Sequence, residues 1–191
     1  TVYYSKDDNH DGIPDKYQIT FTYVSADEDK GTVTGTTKEV VTTYEITRDS
    51  VTGEIIVGNG PTAQHPTQPS TVTAKAGYKF DKWTDEDQKS FKDNAALKAA
   101  SYLEDQTFTA HFTEQDDLHY EIHYFYEDAN SVVTEDKGSA IVRDDGVFGE
   151  KILKTAVAKE SEFNGKNYVL ERIEGADKQI GLDPKENMVN V

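Results

Sequence analysis

The residues best suited to chemistry lie near the amino terminus, in the stretch DDNHDGIPD at residues 7–15. Oxygen-bearing residues recur here with the spacing of a calcium-binding loop: Asp7 at position 1, Asn9 at 3, Asp11 at 5, Ile13 at 7 and Asp15 at 9. Ca²⁺ prefers oxygen ligands, position 7 of such loops supplies its backbone carbonyl, and glycine at position 6 allows the sharp bend. The spacing therefore predicts a Ca²⁺ site.

The loop departs from a complete EF-hand at two places. Position 12 is Gln18 instead of the usual bidentate glutamate, and Pro14 opposes a helix leaving the loop. Two interpretations remain open. The stretch is either a weak calcium site, of the roughly 10⁻⁴–10⁻³ M class found in extracellular modules, that stiffens the linker to a preceding module, or a flexible acidic linker.

The other candidate groups do not form a recognisable catalytic pattern. His119 and His123 are four strand residues apart, about 13 Å between Cα atoms, so we expect surface histidines that share no metal. Acidic residues are abundant, but a chain of small modules offers no cleft for a carboxylate pair, and nucleophile-elbow, P-loop and dinucleotide motifs do not occur. Lys82 should face away from Trp83, which disfavours a buried lysine cross-link. We expect no enzymatic activity.

Composition excludes several classes of partner. The 191 residues include 36 acidic and 20 basic side chains, for a net charge of −16, which disfavours nucleic acids and anionic lipids. Cysteine is absent, which excludes disulfides and thiolate chemistry. No stretch approaches the roughly 20 apolar residues of a membrane span. Because the chain has no initiator methionine and ends in the strand-like MVNV, we expect a fragment of a longer protein. We also expect a monomer.

Alternating apolar residues predict a mostly β fold. Strand patterns occur at YQITFTYV, KEVVTTYEIT, GEIIVG, STVTAKAGYKFDKWT and FTAHF, and then at HYEIHYFYED, GSAIVR, GEKILKTAVA, YVLERIEG and MVNV. The Ala-rich KDNAALKAASYL predicts one short peripheral helix, capped by Asp93 or Asn94 and ending near residue 101. Asn164-Gly165 predicts a hairpin turn, DDG at 144–146 a loop, and the polar stretch 113–118 a domain boundary.

Two segments resemble known bacterial surface repeats. Residues 17–113 resemble the internalin-type B repeat, or Listeria–Bacteroides repeat, through YQITFTYV, the motif G-Y-x-F-x-x-W at residues 77–83, and TFTAHF. The insertion KSFKDNAALKAASYLED is a departure from a typical short repeat. Residues 118–191 resemble a MucBP-type (mucin-binding protein) repeat through YEIHYFYED, FGEKI, YVLERIEG and NMVNV.

The resemblances imply two tandem, small β-grasp-like modules, mostly β with minor α, on the surface of a Gram-positive bacterium. The expected organisation is an acidic linker at 1–16 followed by modules at 17–113 and 118–191. The resemblances further imply a non-catalytic part of a cell-wall-attached adhesin or stalk that contacts neighbouring repeats of its own chain. The alternative is a module that binds mucin or another host glycan. We interpret Tyr78, Phe80 and Trp83 as core residues; an exposed platform for sugar stacking is the alternative interpretation.

Overall fold

The computed structural model describes residues 1–191 and is mostly β-sheet, as the alternating sequence patterns predict. The chain divides into two compact units: the first contains Thr1–Lys75 and Phe80–Thr113, the second Ala76–Lys79 and Glu114–Val191. No helix in the structure is long and apolar enough to cross a membrane.

A five-stranded sheet with strand order β3-β1-β9-β7-β8 forms the centre of the first unit. Two small antiparallel ribbons, β2–β6 and β4–β5, accompany this sheet. The strands are β1 (Gln18–Ser25), β2 (Gly31–Thr34), β3 (Lys38–Thr42), β4 (Ile46–Arg48), β5 (Ile55–Val57), β6 (Thr71–Ala74), β7 (Tyr78–Thr84), β8 (Ser90–Phe91) and β9 (Gln106–Glu114). β1 pairs antiparallel with β3 and parallel with β9, so the first and last strands are neighbours.

Aromatic side chains fill the core of the first unit because every second residue of β1 and β9 points inward. Phe21, Trp83 and Phe108 are fully buried and Tyr23 nearly so. The Tyr23 ring stacks on Phe108 with 5.6 Å between ring centres, and Phe80 packs on Trp83 at 6.0 Å. Phe80 and Trp83 are thus core residues, as predicted. Tyr78 belongs to the second unit, where it is half-buried and packs edge-on against Phe148 of the same unit at 5.6 Å.

The predicted helix is present and short. α1 spans Asn94–Lys98, and the Asp93 carboxylate caps it by accepting a hydrogen bond of 2.7 Å from the Ala96 backbone N–H. Leu97 is fully buried. The Asn94 side chain accepts a hydrogen bond of 2.7 Å from Trp83 Nε1, which ties the helix to the aromatic core.

A three-stranded sheet with strand order β13-β10-β16 forms the centre of the second unit. Two hairpin ribbons, β11–β12 and β14–β15, accompany it. The strands are β10 (Leu118–His123), β11 (Phe125–Glu127), β12 (Val133–Glu135), β13 (Ile141–Gly146), β14 (Glu160–Phe163), β15 (Lys166–Val169) and β16 (Met188–Asn190). β10 pairs antiparallel with β13 and parallel with β16.

The core of the second unit is aliphatic and small. It comprises Ile122, Ile152, Ile180 and Val189, all at most 6% exposed. Asn187 is also buried: its side chain accepts a hydrogen bond from Gly181 N–H at 2.8 Å and donates to the carbonyls of Gly181 and His119 at 2.8 and 2.9 Å. These three bonds satisfy the amide, as burial of a polar group requires.

Two sequence-based expectations for the second unit were wrong and one was confirmed. The DDG at 144–146 belongs to β13 and is not a loop, and residues 149–158 are irregular apart from one bridge between Lys151 and Gln179. The turn at Asn164-Gly165 does join β14 to β15. Both residues have positive φ, 51° and 71°, the backbone that an Asn-Gly hairpin favours.

Candidate functional site

The amino-terminal loop folds around its own carboxylates. Asp7 accepts hydrogen bonds from the backbone N–H groups of Asp11 and Gly12 at 3.2 and 3.0 Å, and Asp11 accepts one from Ile13 N–H at 2.8 Å. Gly12 has φ +83°, which permits the bend expected at position 6. A short 3-10 helix, Asp15–Tyr17, ends the loop. The loop is therefore ordered by internal hydrogen bonds.

The remaining predicted ligands lie in the same turn. Asn9 donates a hydrogen bond of 2.9 Å to the Asp11 carboxylate, and Asp15 accepts one of 3.0 Å from the backbone of Asp8. No group of three or more histidine, aspartate or glutamate side chains is arranged to hold a metal ion. A site at this loop would therefore also depend on the Asn9 side chain and on the Ile13 carbonyl, as the loop pattern requires.

Gln18, at position 12 of the pattern, completes the loop. Its amide nitrogen donates a 2.6 Å hydrogen bond to Asp11, and this bond is the main reason why the pKa of Asp11 is lowered. Its amide oxygen is buried and has no hydrogen-bond partner. The amide nitrogen of Gln18, and not its oxygen, faces Asp11. The carboxylates of Asp7, Asp11 and Asp15, with the Asn9 side chain and the Ile13 carbonyl, are the kind of oxygen donors that Ca²⁺ prefers.

The second candidate site is a groove of about 850 Å³ within the second unit. Aromatic and aliphatic side chains make up much of its lining, and the hairpin β11–β12 contributes Phe125, Glu127 and Val133. Phe125 is 39% exposed. The volume lies within the range of small-ligand pockets, which are about 300–1,000 Å³.

The rings of the groove differ in how free they are to contact a ligand. Tyr126 stacks on Phe163 with 4.5 Å between ring centres and meets Tyr168 edge-on, and its hydroxyl contacts Ser161 at 2.8 Å. Tyr126 is therefore held in place by its neighbours. Phe125 is the more exposed ring; it stacks on His123 with 6.4 Å between ring centres, and its exposed part is the better candidate for contact with a ligand.

Basic side chains also line the groove. Arg172 pairs with Glu174 and Lys154 with Glu150, whereas Arg143 forms no ion pair. In a chain with a net charge of −16, an exposed unpaired arginine beside aromatic rings is a suitable hydrogen-bond donor for a polar ligand.

Five side chains form a hydrogen-bonded row on the face of β10 opposite to Tyr120 and Ile122; we call this row the histidine–carboxylate chain. Glu121 accepts hydrogen bonds from Nε2 of His119 at 2.8 Å and from Nε2 of His123 at 2.5 Å. The Nδ1 of His119 contacts Asp144 of β13 at 2.6 Å, and the Nδ1 of His123 contacts Glu135 of β12 at 2.7 Å. We expected solvated surface histidines. Both side chains are partly exposed, at 30% and 17%, but each ring nitrogen contacts a carboxylate.

Alternation in the sequence had placed His119, Glu121 and His123 on one face, and the structure confirms that placement. Their partners Glu135 and Asp144 come from other strands, so spacing along the sequence could not reveal the complete histidine–carboxylate chain. The hydrogen bonds to Glu121, and next those to Asp144 and Glu135, raise the pKa of both histidines. The same bonds, first from His119 and then from His123, lower the pKa of Glu121.

The half-buried and buried carboxylates of the first unit serve the fold. Glu39 accepts hydrogen bonds from Tyr23 hydroxyl at 3.0 Å and from the backbone of Thr67 and Gln68 at 3.0 and 3.2 Å. Asp85 accepts bonds from Tyr102 hydroxyl and from the backbone of its own turn. Each joins distant segments of the chain, which is a structural role.

Lys82 matches the expectation from alternation. Its side chain is 42% exposed, and its ionic partner is the adjacent Asp81 at 4.0 Å. A buried lysine cross-link at this position has no support in the geometry.

Comparisons with protein-family models, with curated proteins and with solved structures found no match. The resemblances to the internalin-type B repeat and the MucBP-type repeat stay predictions.

Proposed function

We propose that this chain is a non-catalytic part of a bacterial cell-surface adhesin or stalk, made of two small β-grasp-like modules in tandem. In the full-length protein these modules space and stiffen a distal binding region, outside the cell and attached to the wall. The resemblances of residues 17–113 and 118–191 to surface repeats support this proposal.

The observation that carries the proposal is the pairing of the first and last strand in each unit. In the first unit β1 and β9 run parallel, in register from Phe21 with Gln106 to Ser25 with Ala110. In the second unit β10 and β16 run parallel, and Ile122 faces Val189 in the register. A pull on the two ends of such a unit slides one strand along the other, so the hydrogen bonds between them carry the load together. This geometry suits a load-bearing stalk.

Single-molecule extension tests the proposal. Since the chain lacks cysteine, Thr1→Cys and Val191→Cys provide unique attachment points. We expect two abrupt unfolding steps that release about 340 Å for residues 18–114 and about 250 Å for residues 118–190, at roughly 3.5 Å per extended residue. A smooth extension without steps would contradict a load-bearing role.

We propose further that the amino-terminal loop binds Ca²⁺ through Asp7, Asn9, Asp11, Asp15 and the Ile13 carbonyl, and so stiffens the linker to a preceding module. The spacing of these oxygen-bearing residues and the bend at Gly12, with φ +83°, support this assignment.

Calorimetric titration with Ca²⁺ checks the loop directly. We expect one saturable site at roughly 10⁻⁴–10⁻³ M. The site should disappear in Asp11→Ala and persist in Asp177→Ala, a matched change at an exposed carboxylate of the second unit. No saturable heat up to several millimolar would make the loop an acidic spacer.

The second candidate function is binding of mucin or another host glycan, and the groove of the second unit favours it. Phe125 supplies a partly exposed ring for stacking on a sugar, and Arg143 supplies an unpaired donor. We expect mucin O-glycans to bind the intact chain and to lose at least tenfold in affinity with Phe125→Ala. Val51→Ala, on an exposed loop of the first unit, is the control. Equal binding by both variants would reject the groove as the glycan site.

A further inference from the structure

The two imidazoles of the histidine–carboxylate chain can make all their contacts only when both are protonated. In each ring, each of the two nitrogens lies within 2.8 Å of an oxygen from a different carboxylate: Glu121 and Asp144 for His119, and Glu121 and Glu135 for His123. A neutral imidazole has one N–H and one lone pair, so one of its two nitrogens would then face a carboxylate oxygen with no proton between them. Loss of a proton therefore breaks a contact and introduces repulsion.

The charge balance strengthens this dependence. With both rings protonated, three carboxylates and two cations leave one excess negative charge in the chain, but with both rings neutral there are three. No lysine or arginine pairs with any of the five side chains, and the remaining charged groups on β13, Arg143 and Asp145, form no ion pair with them. On the β16 side, Met188 and Asn190 are uncharged.

We propose that the histidine–carboxylate chain is a proton-dependent clasp that fastens β12 and β13 to β10 while both imidazoles are protonated and loosens when they lose their protons at higher pH. Glu135 is the last residue of β12, so the clasp holds the hairpin β11–β12 at its end. Asp144 lies in β13, an edge strand of the central sheet. Since the hairpin contributes Phe125 and Val133 to the groove, its release changes the groove wall.

The direction of the pH effect follows from the shifts. The pKa of each histidine is raised in the folded chain, so its stabilising effect is complete below the unfolded value of about 6.5 and is lost as the pH rises through the folded value. The pKa of Glu121 is lowered, so its effect is present above about 4.5 and is lost as the pH falls through the folded value. The clasp is therefore strongest between these two limits.

NMR titration of the histidine ring protons between pH 5 and 9 tests the clasp. We expect midpoints above about 6.5 for both His119 and His123. Glu135→Gln should lower the midpoint of His123 only, by about 0.5–1 unit, and Asp144→Asn that of His119 only. Asp177→Asn, another exposed paired carboxylate of this unit, should change neither. Midpoints at or below 6.5, or midpoints that no variant moves, would overturn the proposal.

Hydrogen exchange tests the mechanical consequence independently of the titration. After correction for the intrinsic pH dependence, protection of the β11–β12 amides should fall by several-fold between pH 6 and pH 8.5. The His119→Gln, His123→Gln double variant should exchange alike at both pH values, whereas His111→Gln, a change in the first unit, should behave as the parent does. Equal protection at both pH values in the parent chain would mean that the proton does not control the hairpin.

Discussion

Replacement of Trp83 tests the packing of the first unit most sharply. The side chain is fully buried, meets Tyr23 edge-on at 5.8 Å and Phe80 at 6.0 Å, and donates a 2.7 Å hydrogen bond to Asn94. Removal of a buried Trp or Phe side chain costs about 3–5 kcal/mol. The Asn94 oxygen also loses its donor, at a further cost of about 1–3 kcal/mol if it stays buried. We expect Trp83→Ala to lower the free energy of unfolding of this unit by at least 3 kcal/mol.

A graded variant keeps this prediction measurable. Typical domains are stable by only about 5–15 kcal/mol, so Trp83→Ala would leave little stability to measure. Trp83→Phe retains most of the apolar ring and removes the hydrogen bond, and we expect a loss of about 1–3 kcal/mol. Val51→Ala, at a side chain that is 90% exposed, should stay within about 0.5 kcal/mol of the parent.

Urea denaturation followed by circular dichroism and tyrosine fluorescence is the appropriate assay, because Trp83 is the only tryptophan. In the parent chain, tryptophan fluorescence reports the first unit alone. If Trp83→Ala unfolded within 1 kcal/mol of the parent, the tryptophan could not be packed as described, and the sugar-stacking interpretation of this ring would need to be reconsidered.

Three further predictions concern single polar residues. Asn187→Ala removes three buried hydrogen bonds to the backbone of His119 and Gly181, and we expect a loss of about 2–3 kcal/mol from the second unit in urea titration; no loss would mean that the amide is not satisfied as described. Burial acts to raise the pKa of Glu39, but the hydrogen bonds that the carboxylate accepts outweigh burial, and the pKa is lowered. The ionised Glu39 therefore stabilises the fold above about pH 4.5, and this stabilisation is lost on acidification. Glu39→Gln should therefore reduce stability at pH 7 more than at pH 3, and an equal effect at both would refute this linkage. Asp11→Ala removes an exposed carboxylate whose pKa is lowered by its hydrogen bonds. Without Ca²⁺ it should leave the unfolding free energy of both units unchanged; a large loss would mean that the loop packs as part of the core of the first unit.

The sequence was most informative where alternation or turn chemistry acts over adjacent residues. Period-2 alternation predicted β1, β9 and β10 because each presents one face to a core. Asp93 predicted the start of the helix, since a short carboxylate can cap the first turn at little steric cost.

The sequence was least informative where a partner from elsewhere in the chain decides the outcome. β2 has only four residues, and its pairing with β6, about 40 residues away, was not apparent from its own sequence. The stretch GEKILKTAVA is rich in apolar residues and was expected to form a strand, yet Ile152 is buried by packing while most of the neighbouring backbone lies outside a sheet. The histidines likewise looked solvated because Glu135 and Asp144 reach them through tertiary pairing.

The central claim is that each unit resists force through its parallel first and last strands, and pulling direction tests this claim most directly. The first unit should be pulled once through Thr1→Cys and Val191→Cys, and once through Lys16→Cys and Glu45→Cys, which peel the antiparallel pair β1–β3 apart from its end. We predict a markedly higher unfolding force through the chain ends, because the β1–β9 bonds are then loaded together, while peeling breaks bonds one after another. Equal forces in the two directions would contradict a load-bearing design.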